Sequence, residues 1–176
     1  MIITAGIYKG RKVTAPDEKI VRPTLSKIRE SIFNTLFSMI EFGGKTFLDM
    51  FAGSGIMGLE ALSRGFENVL TLEKNPKVAK VLKENYENIK IKPNLIVGDS
   101  LNQKINEKFD VIYIDPPYFS GIYEKSLEKI KKESLLKADG IVILEHVTDV
   151  CWSDFGFELI KQKKYSGKFV TFLSLA

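Results

Sequence analysis

Phe47-Leu48-Asp49-Met50-Phe51-Ala52-Gly53-Ser54-Gly55-Ile56-Met57-Gly58-Leu59-Glu60-Ala61-Leu62 passes from an apolar run through a glycine turn into a second apolar run. A buried strand, a tight turn and a helix start, in that order, open a parallel α/β sheet. Gly53, Gly55 and Gly58 fall at the G-x-G-x-x-G spacing. Glycines there let the backbone approach a ligand, and the helix that follows offers unpaired N–H groups at its start. The spacing alone does not choose the ligand, because dinucleotide-binding enzymes share it.

Downstream, strand and helix patterns alternate. Strands are expected near 45–50, 68–73, 94–98, 109–114 and 141–146. Helices are expected near 55–64, 76–88 and 122–132, with a shorter turn or helix near 101–106. Phe109-Asp110-Val111-Ile112-Tyr113-Ile114 is nearly all apolar, as befits a strand covered on both faces. This alternation implies right-handed crossovers and a mostly parallel sheet. At the end, Phe157–Ile160 and Phe169–Leu173 flank a polar, Gly-containing stretch, which predicts a hairpin that brings one antiparallel strand into the sheet.

Upstream, Leu25, Ile28, Ile32, Leu36 and Ile40 step by three and four, widened by Phe33 and Phe37, and predict a helix. Pro23 keeps Arg22 out of it, Thr24 or Ser26 is the expected N-cap, and Gly43-Gly44 closes the segment. Ahead of it, Ile2-Ile3-Thr4 and Lys12-Val13-Thr14 bracket two glycines and predict a hairpin. Lys9, Arg11 and Lys12 make it basic, which suits either a solvated hairpin or one that contacts nucleic acid. The expected organisation is therefore a basic extension over residues 1–20 and one α/β domain over 21–176.

Four carboxylates sit where strands end. Asp49 precedes the glycines, a poor place for a pyrophosphate and a good one for a cationic ligand such as a sulfonium amino acid. Glu73, after the second strand, suits ribose hydroxyls. Asp99, in Gly98-Asp99-Ser100, suits an adenine amino group. Asp115 begins Asp115-Pro116-Pro117-Tyr118. The two prolines remove two N–H donors, so the carbonyls there remain as acceptors beside a carboxylate and an aromatic ring. Such a set fits a flat group with an exocyclic amine: Asp115 and the Pro116 carbonyl accept from the NH₂, and Tyr118 stacks on the base. Positioning would then favour in-line transfer to the amine. Asp115 either takes up a proton or only steadies the developing charge. Singly, each carboxylate is also compatible with a cap or a turn.

Together these residues resemble the class I S-adenosylmethionine-dependent methyltransferases with an (Asn/Asp)-Pro-Pro-(Tyr/Phe) motif. Arg22-Pro23-Thr24-Leu25-Ser26-Lys27-Ile28-Arg29-Glu30-Ser31-Ile32-Phe33-Asn34, Asp49 to Gly65, Asp115 to Tyr118 and the basic opening resemble the bacterial 16S rRNA guanine-N2 methyltransferase family, over nearly the whole chain. The resemblance implies a Rossmann-like, seven-stranded sheet with one antiparallel strand, flanked by helices. It implies S-adenosylmethionine as donor, S-adenosylhomocysteine as product, no metal and no covalent intermediate. The implied target is a guanine N2 in small-subunit rRNA within an assembling particle. By position, Asp49, Phe51, Ala52, Gly53, Ser54, Gly55, Glu73, Lys74, Asp99 and Ser100 would hold the donor. Asp115, Pro116, Pro117 and Tyr118 would receive the guanine. Lys9, Arg11, Lys12, Arg22, Thr24 and Arg29 would meet RNA, and residues 119–123 would form a lid.

Composition limits the rivals. The chain has 26 Lys and Arg against 22 Asp and Glu, a net charge of +4 that is compatible with nucleic acid without requiring it. One Cys excludes an internal disulfide framework. With no signal-type or membrane-spanning run, a cytoplasmic monomer is expected. Cys151 and His146 are expected to be structural or incidental, and Lys161, Lys163 and Lys164 to lie in a solvated turn with a secondary RNA contact as the sharper alternative. The rival functions are an adenine-N6 or protein-glutamine methyltransferase, a nicotinamide oxidoreductase, and a non-catalytic rRNA-binding assembly module.

Overall fold

The computed structural model describes residues 1–16, 26–117, 121–165 and 167–176. Seven strands form one mixed sheet. They are β1 (Thr46–Asp49), β2 (Asn68–Glu73), β3 (Asn94–Val97), β4 (Phe109–Ile114), β5 (Leu136–His146), β6 (Phe157–Tyr165) and β7 (Lys168–Leu175). Their order is β3-β2-β1-β4-β5-β7-β6. Six strands are parallel and β7 is antiparallel, as expected for a Rossmann-like sheet. The helices are α1 (Ser26–Phe37), α2 (Ile56–Ser63), α3 (Pro76–Asn88) and α4 (Ile122–Lys132). The chain divides into two compact units, Met1–Ser100 and Leu101–Ala176.

In the first unit, β1 pairs with β2 and β2 with β3, all parallel, which aligns Asp49 with Thr71 and Glu73 with Val97. The strands thus bring their carboxylates to one end. A ring cluster of Phe33, Phe42, Phe47 and Phe66 is buried beneath α1, with Phe42 stacked on Phe66 at 4.7 Å. Helix α1 follows the predicted stripe at Ile28, Ile32, Phe33 and Leu36, but it stops at Phe37, which is 72% exposed. It ends there because Ser38 folds its hydroxyl back onto the Thr35 carbonyl and the chain turns. Of the two expected N-caps, Ser26 is the first residue of α1 and Thr24 lies outside the described residues.

Gly58 is required by packing. A Cβ there would stand 2.3 Å from the Tyr86 hydroxyl, with Val69 and Thr71 close behind. Gly58→Ala is expected to cost about 1–3 kcal/mol through overpacking, a loss reduced by roughly 1 kcal/mol of better helix propensity. Thermal unfolding of Gly58→Ala and of the Gly58→Ala, Tyr86→Phe pair checks this. The pair should regain most of the lost Tm, and equal losses in both would contradict the contact.

In the second unit, β4 pairs parallel with β5, while β7 runs antiparallel to both β5 and β6. β5 starts at Leu136, five residues before the strand expected near 141–146, and a shifted register between Phe109 and Val111 accompanies the longer start. The C-terminal hairpin is tighter than expected. Lys161, Lys163 and Lys164 lie within β6, not in a turn. β6 is a sheet edge, where lysines discourage pairing with a further strand. No regular helix forms over 101–106; the segment starts with a turn.

Candidate functional site

The glycine turn is built by its own backbone. Gly53 and Gly55 have φ of 53° and 80°, left-handed values that glycine adopts without strain. The Gly55 N–H bonds the Ala52 carbonyl at 2.8 Å, and the Ala52 N–H bonds the Leu72 carbonyl at 2.8 Å. A Cβ on Gly55 would also meet Leu82 at 2.7 Å and Tyr86 at 2.8 Å. The turn is therefore seated directly on α3.

Glu73 organises this end of the unit. Its Oε2 accepts from the Gly53 N–H at 2.9 Å and its Oε1 from the Asn75 N–H at 2.7 Å. Each oxygen retains a second lone-pair direction, so the carboxylate can hold the loop and still accept from hydroxyls. Asp49 is fully buried, and its Oδ1 accepts from the Phe51 N–H at 3.3 Å. Burial, and then the Asp49 carboxylate, keep the Tyr86 hydroxyl protonated far above the usual phenol range. Lys74 and Asp99 pair at 2.8 Å on the rim. Beside them the Ser100 hydroxyl is buried and lacks a hydrogen-bond partner among the described residues. Expected donor residues from three strand ends and the glycine turn are thus all in the first unit. Their donor set fits an adenosine carrying a cationic amino-acid tail: carboxylates for hydroxyls and ammonium, and an orphaned hydroxyl at the Asp99 end.

Asn85 was not anticipated. Its side chain accepts from the Thr14 N–H at 2.8 Å and donates to the Thr14 carbonyl at 2.9 Å and the Ser54 carbonyl at 3.0 Å. It ties the N-terminal segment to the glycine turn. A polar residue on the apolar stripe Val78, Ala79, Leu82 and Tyr86 of α3 was the available signal.

The amine-binding candidates lie in the second unit. Asp115 is half-buried, Pro116 buried and Pro117 exposed; Tyr118 lies outside the described residues. The Tyr113 hydroxyl stands 3.4 Å from Asp115 Oδ2 and bonds Glu145 Oε1. Glu145 in turn pairs with Lys168. His146 is buried, bonded to the Thr148 carbonyl and the Thr171 hydroxyl and stacked on Phe169, a structural role. Cys151 is a free, exposed thiol.

The basic opening is a hairpin, bridged at Ile2 and Lys12 and packed against the C-terminal end of α2. Ser63 receives it: the Ile7 N–H bonds the Ser63 carbonyl, and the Ser63 hydroxyl accepts from the Tyr8 N–H. Gly6 passes so close that a Cβ would fall 1.7 Å from the Ser63 carbonyl oxygen. Lys9, Arg11 and Lys12 are exposed. Arg29, expected to face RNA, does not: it is 1% exposed, donates to the Ile2 carbonyl at 2.9 Å and pairs with Glu60 at 3.5 Å. Helix α1 turns it inward because the buried carboxylate of Glu60 needs a cation. Arg22 and Thr24 lie outside the described residues. Among the described residues no helix is long and apolar enough to cross a membrane, and no group of three His, Cys, Asp or Glu could hold a metal.

The family model described as "Conserved hypothetical protein 95" matches residues 1–174. The "Ribosomal RNA small subunit methyltransferase D" of Buchnera aphidicola is 34% identical over 149 residues, covering 81% of this chain and 76% of that protein. The "Putative rRNA methyltransferase YlbH" of Bacillus subtilis is 32% identical, covering 93% of this chain and 92% of its own. A solved Escherichia coli structure, the "Putative methyltransferase yhhF", superposes with a TM-score of 0.88 at 25% identity, covering 99% of this chain and 97% of that one.

Proposed function

Since the chain belongs to the Conserved hypothetical protein 95 family, we propose that it transfers a methyl group from S-adenosylmethionine to the exocyclic N2 amine of a guanine in small-subunit (16S) rRNA. The observation that carries this reading is the row of carboxylates at the ends of β1, β2 and the loop after β3, set around a glycine turn that Glu73 itself holds. The names of the relatives support an rRNA substrate.

When bound, the donor supplies an electrophilic methyl on a sulfonium. Asp49 would hold its ammonium end, Glu73 its ribose, and Asp99 with Ser100 its adenine. The Asp115 carboxylate and the Pro116 carbonyl accept from the amine and align its lone pair, with Tyr118 as the stacking ring. Lys9, Arg11 and Lys12 give the hairpin a cationic face for phosphates, whose contribution weakens with salt.

Glu73→Ala removes both the ribose acceptor and the brace on Gly53, so the dissociation constant for S-adenosylmethionine should rise at least about tenfold, the loss of one or two charge-assisted hydrogen bonds. Calorimetric titration measures it; unchanged affinity would contradict the role of Glu73. The reading as a whole is tested by incubating the protein with methyl-labelled donor and under-methylated small-subunit particles. Label is expected in the RNA. Label on protein alone, or tight binding of NAD in place of the donor, would overturn the reading.

A further inference from the structure

Behind Asp115 lies a buried chain of ionisable groups that the transfer reaction as described leaves unused. Tyr113 and Ile143 are register partners on β4 and β5, Glu145 is opposite Val170 on β7, and Val170 is opposite Lys163 on β6. Since side chains alternate along a strand, Tyr113, Glu145, Lys168 and Lys163 share one face of the sheet. Asp115 continues that face just past the end of β4. Glu145 is fully buried and Tyr113 is 2% exposed. The Lys168 side chain, 13% exposed, carries the chain of contacts to the surface. A charged carboxylate at the end of the apolar run Ile141–Leu144 is costly unless it is paired. A structural ion pair would need only Lys168. Here one carboxylate oxygen is given to Lys168 and the other to a tyrosine that also reaches Asp115.

We propose that Tyr113, Glu145 and Lys168 are positioning residues that set the proton affinity of Asp115 for the release of the amine proton; this rests on the methyl-transfer reading above. Tyr113 has one hydroxyl hydrogen and two carboxylates within reach. Asp115 Oδ2, at 3.4 Å, is at the limit of a hydrogen bond, so that hydrogen goes to the fully buried Glu145. The phenol oxygen then presents a lone pair toward Asp115, and the Glu145 charge stands behind it. Both favour the protonated form of Asp115. The amine nitrogen forms its bond to the methyl carbon as the donor's carbon–sulfur bond breaks, sulfur leaves as a neutral thioether, and nitrogen takes the positive charge. Its N–H bond then breaks toward Asp115, whose new O–H donates to the Tyr113 oxygen. Lys168 offsets part of the Glu145 charge and limits the effect. The other titratable groups that β6 places on this face are Lys161, Lys163, whose ammonium is made easier to deprotonate by burial and then by Lys161, and Tyr165, opposite Lys168.

Charge changes at the two ends of the chain should act on Asp115 with opposite signs. Glu145→Gln removes the negative charge and frees the Tyr113 hydrogen to turn to Asp115, so the Asp115 titration moves to lower pH. Lys168→Met leaves Glu145 uncompensated and moves it to higher pH, while Lys168→Arg keeps the wild-type position. The direct measurement is the carboxyl ¹³C titration of Asp115 in the folded protein, assigned with Asp115→Asn. With small-subunit particles as substrate, the acid limb of the kcat profile should follow the same shifts. In Glu145→Gln, kcat should fall roughly tenfold or more with KM for the particle within about twofold. If wild-type protein methylates no RNA, the transfer reading fails on its own, and the carboxyl titration still decides the coupling. An Asp115 titration that is the same in wild type and Lys168→Met, or that shifts the same way in both charge variants, overturns the proposal; Lys168→Met serves alone if Glu145→Gln does not fold.

Discussion

Asp115→Ala is expected to lower methyl transfer by roughly 10²–10⁴-fold, the range lost with a positioned proton acceptor, while leaving donor affinity within about twofold. The residues proposed to hold the donor, Asp49, Glu73, Asp99 and Ser100, belong to the unit Met1–Ser100, which does not include Asp115. Asp115→Asn separates two roles. It keeps a carbonyl to accept from the amine and loses the ability to take up a proton, so it should fall nearly as far as alanine. Single-turnover assays with labelled donor, paired with calorimetry, read both quantities. Retained turnover in Asp115→Ala would reject its place in the chemistry.

Glu60→Ala should produce the largest loss of stability. Glu60 is fully buried, accepts from three donors (the Thr4 N–H at 2.8 Å, the Thr4 hydroxyl and Arg64 at 3.2 Å), and pairs ionically with Arg29 at 3.5 Å. Its removal leaves the buried guanidinium of Arg29 without that carboxylate and releases the start of the hairpin from α2. Breaking one side of a buried ion pair costs about 3–5 kcal/mol. For a chain of this length that corresponds to a fall in Tm of roughly 6–20 °C. Thermal and chemical unfolding measure it, and a fall no larger than that of an exposed-lysine control would show that the cluster holds little.

Much of the fold was legible because its signals are local. α3 and α4 begin and end where their periodicity does, and β2 and β4 match their apolar runs. The antiparallel strand followed from two β-prone runs close together. The hairpin loop did not, because lysines read as solvated whether they sit in a turn or on an edge strand. That Asp49 and Glu73 end strands beside a glycine turn was legible because apolar runs and glycine spacing are both sequence patterns. Arg29 was misread for the opposite reason: its partner Glu60 lies 31 residues away inside an apolar helix, and nothing local distinguishes a buried cation from an exposed one. Glu145 and Tyr113 were passed over similarly, as their relation to Asp115 and Lys168 exists only through strand register.

The central claim concerns which atom receives the methyl group. Under-methylated small-subunit particles, treated with the protein and labelled S-adenosylmethionine, can be digested and their nucleosides separated. The predicted result is a single labelled nucleoside, N2-methylguanosine, absent when Asp115→Ala replaces the wild-type protein. Label recovered as N6-methyladenosine, as a C5-methylated pyrimidine or only in ribosomal protein would contradict it.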